Sequence, residues 1–143
     1  MMAERKYAHY IQTELKLPEI PTNRLAEYNK RATRVAWMED FVIPNAPSVI
    51  VSWYWKATDE PGTPAHSHDF DEVVGFIGSD PDNPKDLGGE VEWWMDDEQY
   101  FLTESCLIFC PRGLVHCPLR VVRADRPIMF LAFSTTTEYV KKM

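Results

Sequence analysis

The feature that most constrains this chain is a pair of short motifs that together contain three of its four histidines. The first motif contains His66, His68 and Glu72, and the second ends at His116. Alternate residues of an extended strand point to the same face of a sheet, so the imidazoles of His66 and His68 can reach one ion. We therefore predict a metal site to which a different strand brings His116.

Glu72 is the predicted carboxylate ligand of this site. It shares the parity of the two histidines if the strand continues without a bulge, whereas Asp69 and Asp71 then point away. Asp71 or a water molecule remains the alternative fourth ligand. His116 follows a segment with proline and glycine, which suits a sharp turn at a strand end. Such a turn would aim the imidazole of His116 inward.

The two motifs resemble the two signature motifs of the cupin superfamily. The residues that match are His66, His68, Glu72, Pro111, Gly113 and His116. The flanking positions fit less well, because Ser105 stands at the leading glycine of the second motif and Arg120 at its final asparagine. The resemblance covers roughly residues 49–134. It implies an all-β fold, the cupin double-stranded β-helix or jelly-roll barrel, in a small single-domain bacterial cupin. The metal ligands that it implies are His66, His68, Glu72 and His116.

The cysteines offer a competing interpretation of the second motif. A conceivable zinc cluster consists of Cys106, Cys110, His116 and Cys117. Its spacing lacks the paired CxxC knuckles of structural zinc sites, and it would leave His66 and His68 without a role. Cys106 and Cys110 are instead predicted to be small buried hydrophobes, and Cys117 is predicted to lie beside the histidine site.

Composition limits the classes of protein that remain. The 143 residues suit one compact domain, and a hydrophobic content of 45% argues against disorder. A net charge of −7 gives no basic surface for nucleic acid. The first residues lack an apolar run of signal-peptide length, and no segment is long enough to span a membrane. We therefore expect a cytoplasmic protein with reduced thiols, and we interpret His9 as a surface residue.

The chain divides into an irregular N-terminal arm and a strand-rich remainder. The predicted divisions are an arm over 1–45, a barrel over 46–136 and a tail over 137–143. In the arm we predict a short helix over 25–30, capped by Thr22 or Asn23, and an extended segment over 34–42. Residues 7–17 suit either a strand or a helix. Arms of cupins often add to a partner's sheet, and by this analogy we predict a homodimer.

Short strands separated by turns follow the arm, which is the pattern of a sandwich or barrel. Residues 90–95 and 98–103 form a predicted hairpin around 96–97, with Trp93 and Trp94 on opposite faces. Ordinary packing is the favoured interpretation of these tryptophans, and a pocket-lining role is the alternative. The aromatic side chains predicted as pocket walls depend on strand parity and are Trp53, Trp55, Phe76, Trp93, Phe109 and Phe133.

The ligand set determines the chemistry that we expect. Three imidazoles and one carboxylate suit Fe, Mn or Ni, and also Zn, and an octahedral ion so held keeps two positions open. The resemblance implies a metal-dependent enzyme that acts on a small oxygenated or carboxylated organic molecule, with dioxygenase or oxidase chemistry favoured over decarboxylase, lyase or isomerase chemistry. A non-catalytic small-molecule-binding or sensor protein is the alternative from another class. No clear general acid or base is visible, since Asp71, Tyr54 and Arg112 are each interpreted as surface or supporting residues.

Overall fold

The computed structural model describes residues 5–143 and consists mainly of β-strands. Its helical elements are a 3₁₀ turn over Ala8–Tyr10 and helix α1 over Thr22–Asn29. The strands, in chain order, are β1 (Ala32–Met38), β2 (Ser48–Tyr54), β3 (Glu72–Gly78), β4 (Asp86–Met95), β5 (Glu98–Glu104), β6 (Cys106–Cys110), β7 (His116–Ala124) and β8 (Ile128–Ser134). None of the helices in this part of the chain has the length and apolar character that crossing a membrane requires.

The strands form two antiparallel sheets that enclose the hydrophobic core. The five-stranded sheet has the order β1-β2-β8-β3-β6, and the three-stranded sheet has the order β5-β4-β7. Strands far apart in sequence are neighbours in both sheets, as β2 is to β8 and β4 is to β7. This connectivity is typical of a jelly roll, and the predicted all-β architecture is confirmed.

Strands β4 and β5 form the predicted hairpin. Asp96 in its turn has a φ of 54°, a left-handed conformation that aspartate tolerates in tight hairpin turns. Trp93 is 1% exposed and faces the core, whereas Trp94 lies on the other face and is partly exposed. The two tryptophans therefore lie on opposite faces, as the alternation predicts.

Strand β2 shows how parity sets the core. Its residues Ile50, Ser52 and Tyr54 are buried, whereas Trp53 is on the outer face. The prediction that Trp53 lines a pocket is therefore wrong. The hydroxyl of Tyr28 donates a hydrogen bond to Oγ of Ser52 at 2.7 Å, which satisfies the buried serine. This contact allows the less apolar face of β2 to turn inward.

Four more of the predicted pocket walls are also wrong. Phe109 and Phe133 are 59% and 41% exposed and lie on the outer face of the five-stranded sheet. Trp55 is 41% exposed, and its indole N–H donates to the hydroxyl of Thr33. Phe76 is fully buried within the core and does not reach a cavity wall. A parity argument cannot tell the two faces of a strand apart when both carry apolar side chains.

Helix α1 begins at Thr22, earlier than the predicted range of 25–30. Pro21 occupies the N-cap position, and its carbonyl accepts a hydrogen bond from the N–H of Leu25 at 3.0 Å. The predicted cap by Thr22 or Asn23 is wrong, because both residues already lie in the first turn. Residues 7–17 contain only the 3₁₀ turn and neither a strand nor an α-helix.

Strand β1 of the predicted arm and part of the tail lie against the barrel. Strand β1, which overlaps the predicted extended segment over 34–42, pairs with β2 at the edge of the five-stranded sheet. Lys142 in the tail exchanges two backbone hydrogen bonds, of 2.8 and 2.7 Å, with Ser67 of the first motif. The N–H of Tyr139 donates to the buried carboxylate of Glu39 at 3.1 Å. The division into arm, barrel and tail stays a prediction.

We expect the substitution Phe76→Ala to lower the free energy of unfolding by about 3–5 kcal/mol, because it would leave a cavity between the sheets. The Phe76 ring lies 5.8 Å from the ring of Trp93 and 5.7 Å from that of Phe130. Urea unfolding followed by tryptophan fluorescence measures the change. Phe101→Ala is the matched control, since Phe101 is 56% exposed and its loss should cost within about 0.5 kcal/mol. Equal losses in the two variants would contradict this core.

Candidate metal site

A pair of backbone hydrogen bonds joins the two histidine motifs. The N–H of His66 donates to the carbonyl of His116 at 3.0 Å, and the N–H of His116 donates to the carbonyl of His66 at 2.9 Å. His116 is the first residue of β7, and Glu72 is the first residue of β3. The chain bends at 69–70 before β3 begins, so the strand is interrupted and the parity argument for Glu72 does not hold. The motifs nevertheless meet, because the backbone pair holds them together.

The four predicted ligand residues lie together inside the barrel, where each is at most 3% exposed. His66, His68 and His116 each contribute one ring nitrogen, and these nitrogens lie within 4.8 Å of one another. Oε1 of Glu72 is 3.2 Å from Nε2 of His116 and 3.7 Å from Nε2 of His68. Donor atoms at these separations suit one shared ion.

Backbone carbonyls orient all three imidazoles. The distances from Nδ1 to the carbonyl oxygen are 2.7 Å from His66 to Pro64, 2.5 Å from His68 to Val140, and 3.0 Å from His116 to Leu114. A carbonyl oxygen can only accept, so each Nδ1 carries the hydrogen and each Nε2 carries a lone pair. Nε2 of His66 and Nε2 of His68 are buried without a hydrogen-bond partner. Imidazoles held in this way are oriented to coordinate an ion.

Burial favours the neutral form of two of these imidazoles. Desolvation lowers the pKa of His66 to about 4, against the opposing effect of its hydrogen bond to Pro64. Desolvation also lowers the pKa of His68. Both side chains are therefore neutral at pH 7, the form that binds metals. Oε2 of Glu72 accepts a hydrogen bond from the hydroxyl of Ser134 at 3.2 Å. This donor set fits a divalent transition metal.

The neighbouring aspartates point away from the cluster. Oδ1 of Asp71 accepts a hydrogen bond from the backbone N–H of Arg112 at 2.9 Å, which ties β3 to the turn of the second motif. Asp69 forms an ion pair with Lys142 at 2.7 Å. Asp71 and Arg112 are exposed and have the supporting role predicted for them. Glu72 is thus the carboxylate that the structure brings to the three histidines.

The alternative cysteine cluster does not form in residues 5–143. Cys106 pairs with Phe76 and Cys110 pairs with Glu72, which places the two cysteines roughly 13 Å apart along β6. Cys110 does lie near Glu72 and His116 at a ligand-like spacing. Burial raises the pKa of Cys110 to about 12, so its thiol is protonated at neutral pH while no metal is bound. The group around Cys110 would also leave His66 and His68 without an ion. The histidine cluster is the better metal site.

A cavity of about 120 Å³ adjoins the cluster, and His66, Glu72 and His116 form part of its wall. The ring of Trp93 lies 5.8 Å from the imidazole of His116 at an angle of 22°. Trp93 therefore packs in the core, as the favoured interpretation predicted, and it also lines the pocket, as the alternative predicted. Tyr54 also lines the cavity, and burial raises its pKa well above the usual value, so its hydroxyl keeps its proton.

The part of the cavity wall that comes from the arm and the tail was not predicted. These residues are Tyr28, Arg34, Trp37, Tyr139 and Lys141. The Tyr139 ring lies 4.8 Å from the imidazole of His68. No local sequence pattern marks these residues, because only the pairing of β1 with β2 and of the tail with Ser67 brings them to the cavity.

Comparisons with known proteins identify the fold. The sequence matches no family model and no curated protein. It is similar to a structure of oxalate oxidase, with 12% identity, a TM-score of 0.56, and coverage of 100% of this chain and 67% of that one. A second similar structure, recombinant oxalate oxidase in complex with glycolate, has 13% identity and a TM-score of 0.55, with coverage of 96% and 65%.

A third similar structure is an uncharacterized conserved protein with a double-stranded β-helix domain from Klebsiella pneumoniae subsp. pneumoniae MGH 78578. It has 16% identity and a TM-score of 0.50, with coverage of 89% of this chain and 99% of that one. The chain spans about two thirds of the oxalate oxidase chains and 44% of a DMSP lyase chain that it matches at a TM-score of 0.44. Identities this low show the fold alone. The chain therefore has the double-stranded β-helix fold that cupins share.

Proposed function

We propose that this chain is a member of the cupin superfamily and that it binds one divalent transition metal. The proposed ligands are His66, His68, Glu72 and His116. The observation that carries the proposal is the pair of buried Nε2 atoms, on His66 and His68, that have no hydrogen-bond partner. Each buried polar atom without a partner costs about 1–3 kcal/mol, and coordination would remove that cost.

Fe, Mn or Ni is the proposed ion, with Zn as the second candidate, because the set combines three imidazoles with one carboxylate and no ionised thiol. When bound, such an ion would supply Lewis acidity and, in the case of Fe or Mn, redox chemistry. The chain itself fixes the ligands, since carbonyls hold the imidazoles and Ser134 holds Glu72. Trp93 and Tyr139 add aromatic walls that limit the access of water.

The chemistry that we propose is enzymatic and acts on a small oxygenated or carboxylated organic molecule, with oxidase or oxygenase chemistry. A cavity of about 120 Å³ is small beside the roughly 300–1,000 Å³ of sites for drug-sized ligands. Burial raises the pKa of Tyr54 and of Tyr139, so both hydroxyls remain protonated at neutral pH. Because both side chains line the cavity, their hydroxyls are available to donate hydrogen bonds to an oxygenated substrate.

A non-catalytic small-molecule-binding or sensor protein is the second candidate. It is favoured by the cavity wall of the described chain, which offers no carboxylate or imidazole besides the proposed ligands to act as a general base. Mass spectrometry after incubation of the metal-loaded protein with small carboxylates and dioxygen distinguishes the two. An enzyme converts a carboxylate into product, and chelation stops the conversion, whereas a sensor binds and releases it unchanged.

We also propose that the protein is a cytoplasmic homodimer without nucleic-acid or membrane partners. Its three cysteines are free thiols, which suits a reducing compartment. The outer face of the five-stranded sheet carries Leu107, Phe109 and Phe133, with exposures of 66%, 59% and 41%. Val73 pairs with both phenylalanines, so these side chains form one continuous apolar surface. Surfaces of this kind mark protein interfaces.

The first prediction from this proposal concerns metal content. Protein purified without a metal-binding tag should contain near-stoichiometric Fe, Mn or Ni by elemental analysis. The double variant with His66→Ala and His68→Ala should lose the metal, because half of the ligand set is gone. The matched control is His9→Ala, since His9 is exposed and outside the cluster. Equal metal content in wild type and double variant would contradict the proposal, as would metal that is lost in Cys110→Ala but not in the double variant.

The second prediction concerns the oligomeric state. Size-exclusion chromatography with light scattering should give a dimer for the wild type and a monomer for Leu107→Glu, because a buried charge on the apolar face opposes association. Phe101→Glu, on the exposed strand β5 of the other sheet, is the control and should remain dimeric. A monomeric wild type would refute the interface, and so would a dimer that Leu107→Glu leaves intact.

A further inference from the structure

The cavity beside the histidines carries a second set of polar groups. Arg34 and Trp37 on β1, together with Lys141 in the tail, line the same cavity as the candidate metal site. Trp37 follows Arg34 by three residues, and a regular strand places side chains at odd separations on opposite faces of the sheet. The register of β1 against β2 shifts between Arg34 and Ala36. This bulge returns both side chains to the inner face.

Two of these side chains, Arg34 and Trp37, carry buried hydrogen-bond donors without acceptors. Nη1 of Arg34 and Nε1 of Trp37 are buried and have no hydrogen-bond partner. The guanidinium of Arg34 lies 3.7 Å from the centroid of the Tyr28 ring, which fixes its position. Guanidinium, indole and ammonium groups can donate but cannot accept. Two buried donors without acceptors, with the ammonium of Lys141 lining the same cavity, therefore favour a bound molecule that supplies acceptors.

The two cationic side chains that line the cavity also lack an ion-pair partner. In the chain from 5 to 143, neither Arg34 nor Lys141 takes part in an ion pair. Desolvation is the largest cause that lowers the pKa of Lys141, and it also lowers the pKa of Arg34. Glu72, which faces the histidines, is the one acid among the lining residues described. Arg34 and Lys141 are half-buried, and an unpaired cation that is partly withdrawn from water is costly, so an anion is the ligand that this wall favours.

The groove outside the cavity does not have the same bias. Its charged lining residues include both signs and are Glu19, Arg24, Glu27, Arg31, Arg34, Asp59, Glu60 and Lys141. Glu27 is itself paired with Lys30 at 2.8 Å. Arg34, Trp37 and Lys141 also line this groove, so the three donors lie where the cavity meets it. The acids of the groove oppose a general attraction for anions, and selectivity for an anion would come from the donors themselves.

We propose that Arg34, Trp37 and Lys141 form a subsite for a carboxylate group and that the ligand of this cavity is a small organic acid. A carboxylate offers two planar acceptor oxygens and one negative charge, which match the planar guanidinium and offset its charge. The idea that another part of the same molecule lies at the metal rests on the proposed function. The carboxylate subsite does not, because its donors belong to the chain alone.

Malonate tests the subsite, with its neutral analogue malonamide as the matched ligand. Isothermal titration calorimetry should show that malonate binds both metal-free and metal-loaded protein and that malonamide does not. Arg34→Gln and Lys141→Gln should each weaken malonate binding about tenfold to a hundredfold, because each removes a charge-assisted contact. The control is Arg123→Gln, which removes the same charge from an exposed residue paired with Asp125 and should leave the affinity unchanged. A cooperative thermal unfolding transition establishes that each variant is folded. If Arg34→Gln does not fold, Lys141→Gln alone tests the subsite.

Each outcome has a defined meaning. Weaker binding in the two cavity variants of metal-free protein supports the subsite even if the protein holds no metal. Unchanged affinity in a folded Arg34→Gln or Lys141→Gln protein overturns the subsite, whether or not metal binds. Pyruvate and succinate are titrated in the same way as malonate. If none of the three carboxylates binds to the wild type, the subsite is overturned as well. Inorganic phosphate that binds as tightly as malonate, with the same dependence on Arg34, would overturn the assignment to carboxylate.

Discussion

The reciprocal backbone hydrogen bonds between His66 and His116 are the interaction on which the candidate site depends. They join the loop before β3, in the five-stranded sheet, to the start of β7, in the three-stranded sheet. Once these backbones are paired, carbonyls two residues earlier in the chain hold the imidazoles of His66 and His116. The imidazole of His68 is held instead by Val140, so the site is complete only when the tail is docked.

The cost of this arrangement is a set of buried polar atoms that the chain alone does not satisfy. Among the described residues they include Nε2 of His66 and His68 on one side and the donors of Arg34 and Trp37 on the other. Such groups oppose folding, and the hydrophobic core around Phe76 and Trp93 has to offset them. A ligand that satisfies them binds the folded state alone and therefore stabilises it. The unsatisfied atoms of His66, Arg34 and Trp37 belong to side chains that line one cavity.

Much of the fold and of the ligand cluster was predictable from the sequence, because both depend on local patterns. The spacing of His66 and His68 and the turn before His116 placed the cluster, and the acidic turn at 96–97 placed the hairpin. Most of the cavity wall apart from Trp93 was not predictable, since Trp53 and Trp55 suggested the wrong face of β2. Burial of Ser52 there depends on Tyr28, which is distant in sequence. The positions of Arg34 and Trp37 depend on a bulge in β1, and that of Lys141 depends on the docking of the tail.

The most direct test of the central claim is a crystal structure of the protein loaded with one transition metal, with anomalous diffraction recorded at the absorption edge of that metal. We expect a single strong peak within bonding distance of Nε2 of all three histidines and of a Glu72 oxygen. A peak on the sulfur of Cys110 that leaves His66 and His68 uncoordinated would contradict metal binding by the four proposed ligands, as would a fully loaded crystal with no peak at the cluster.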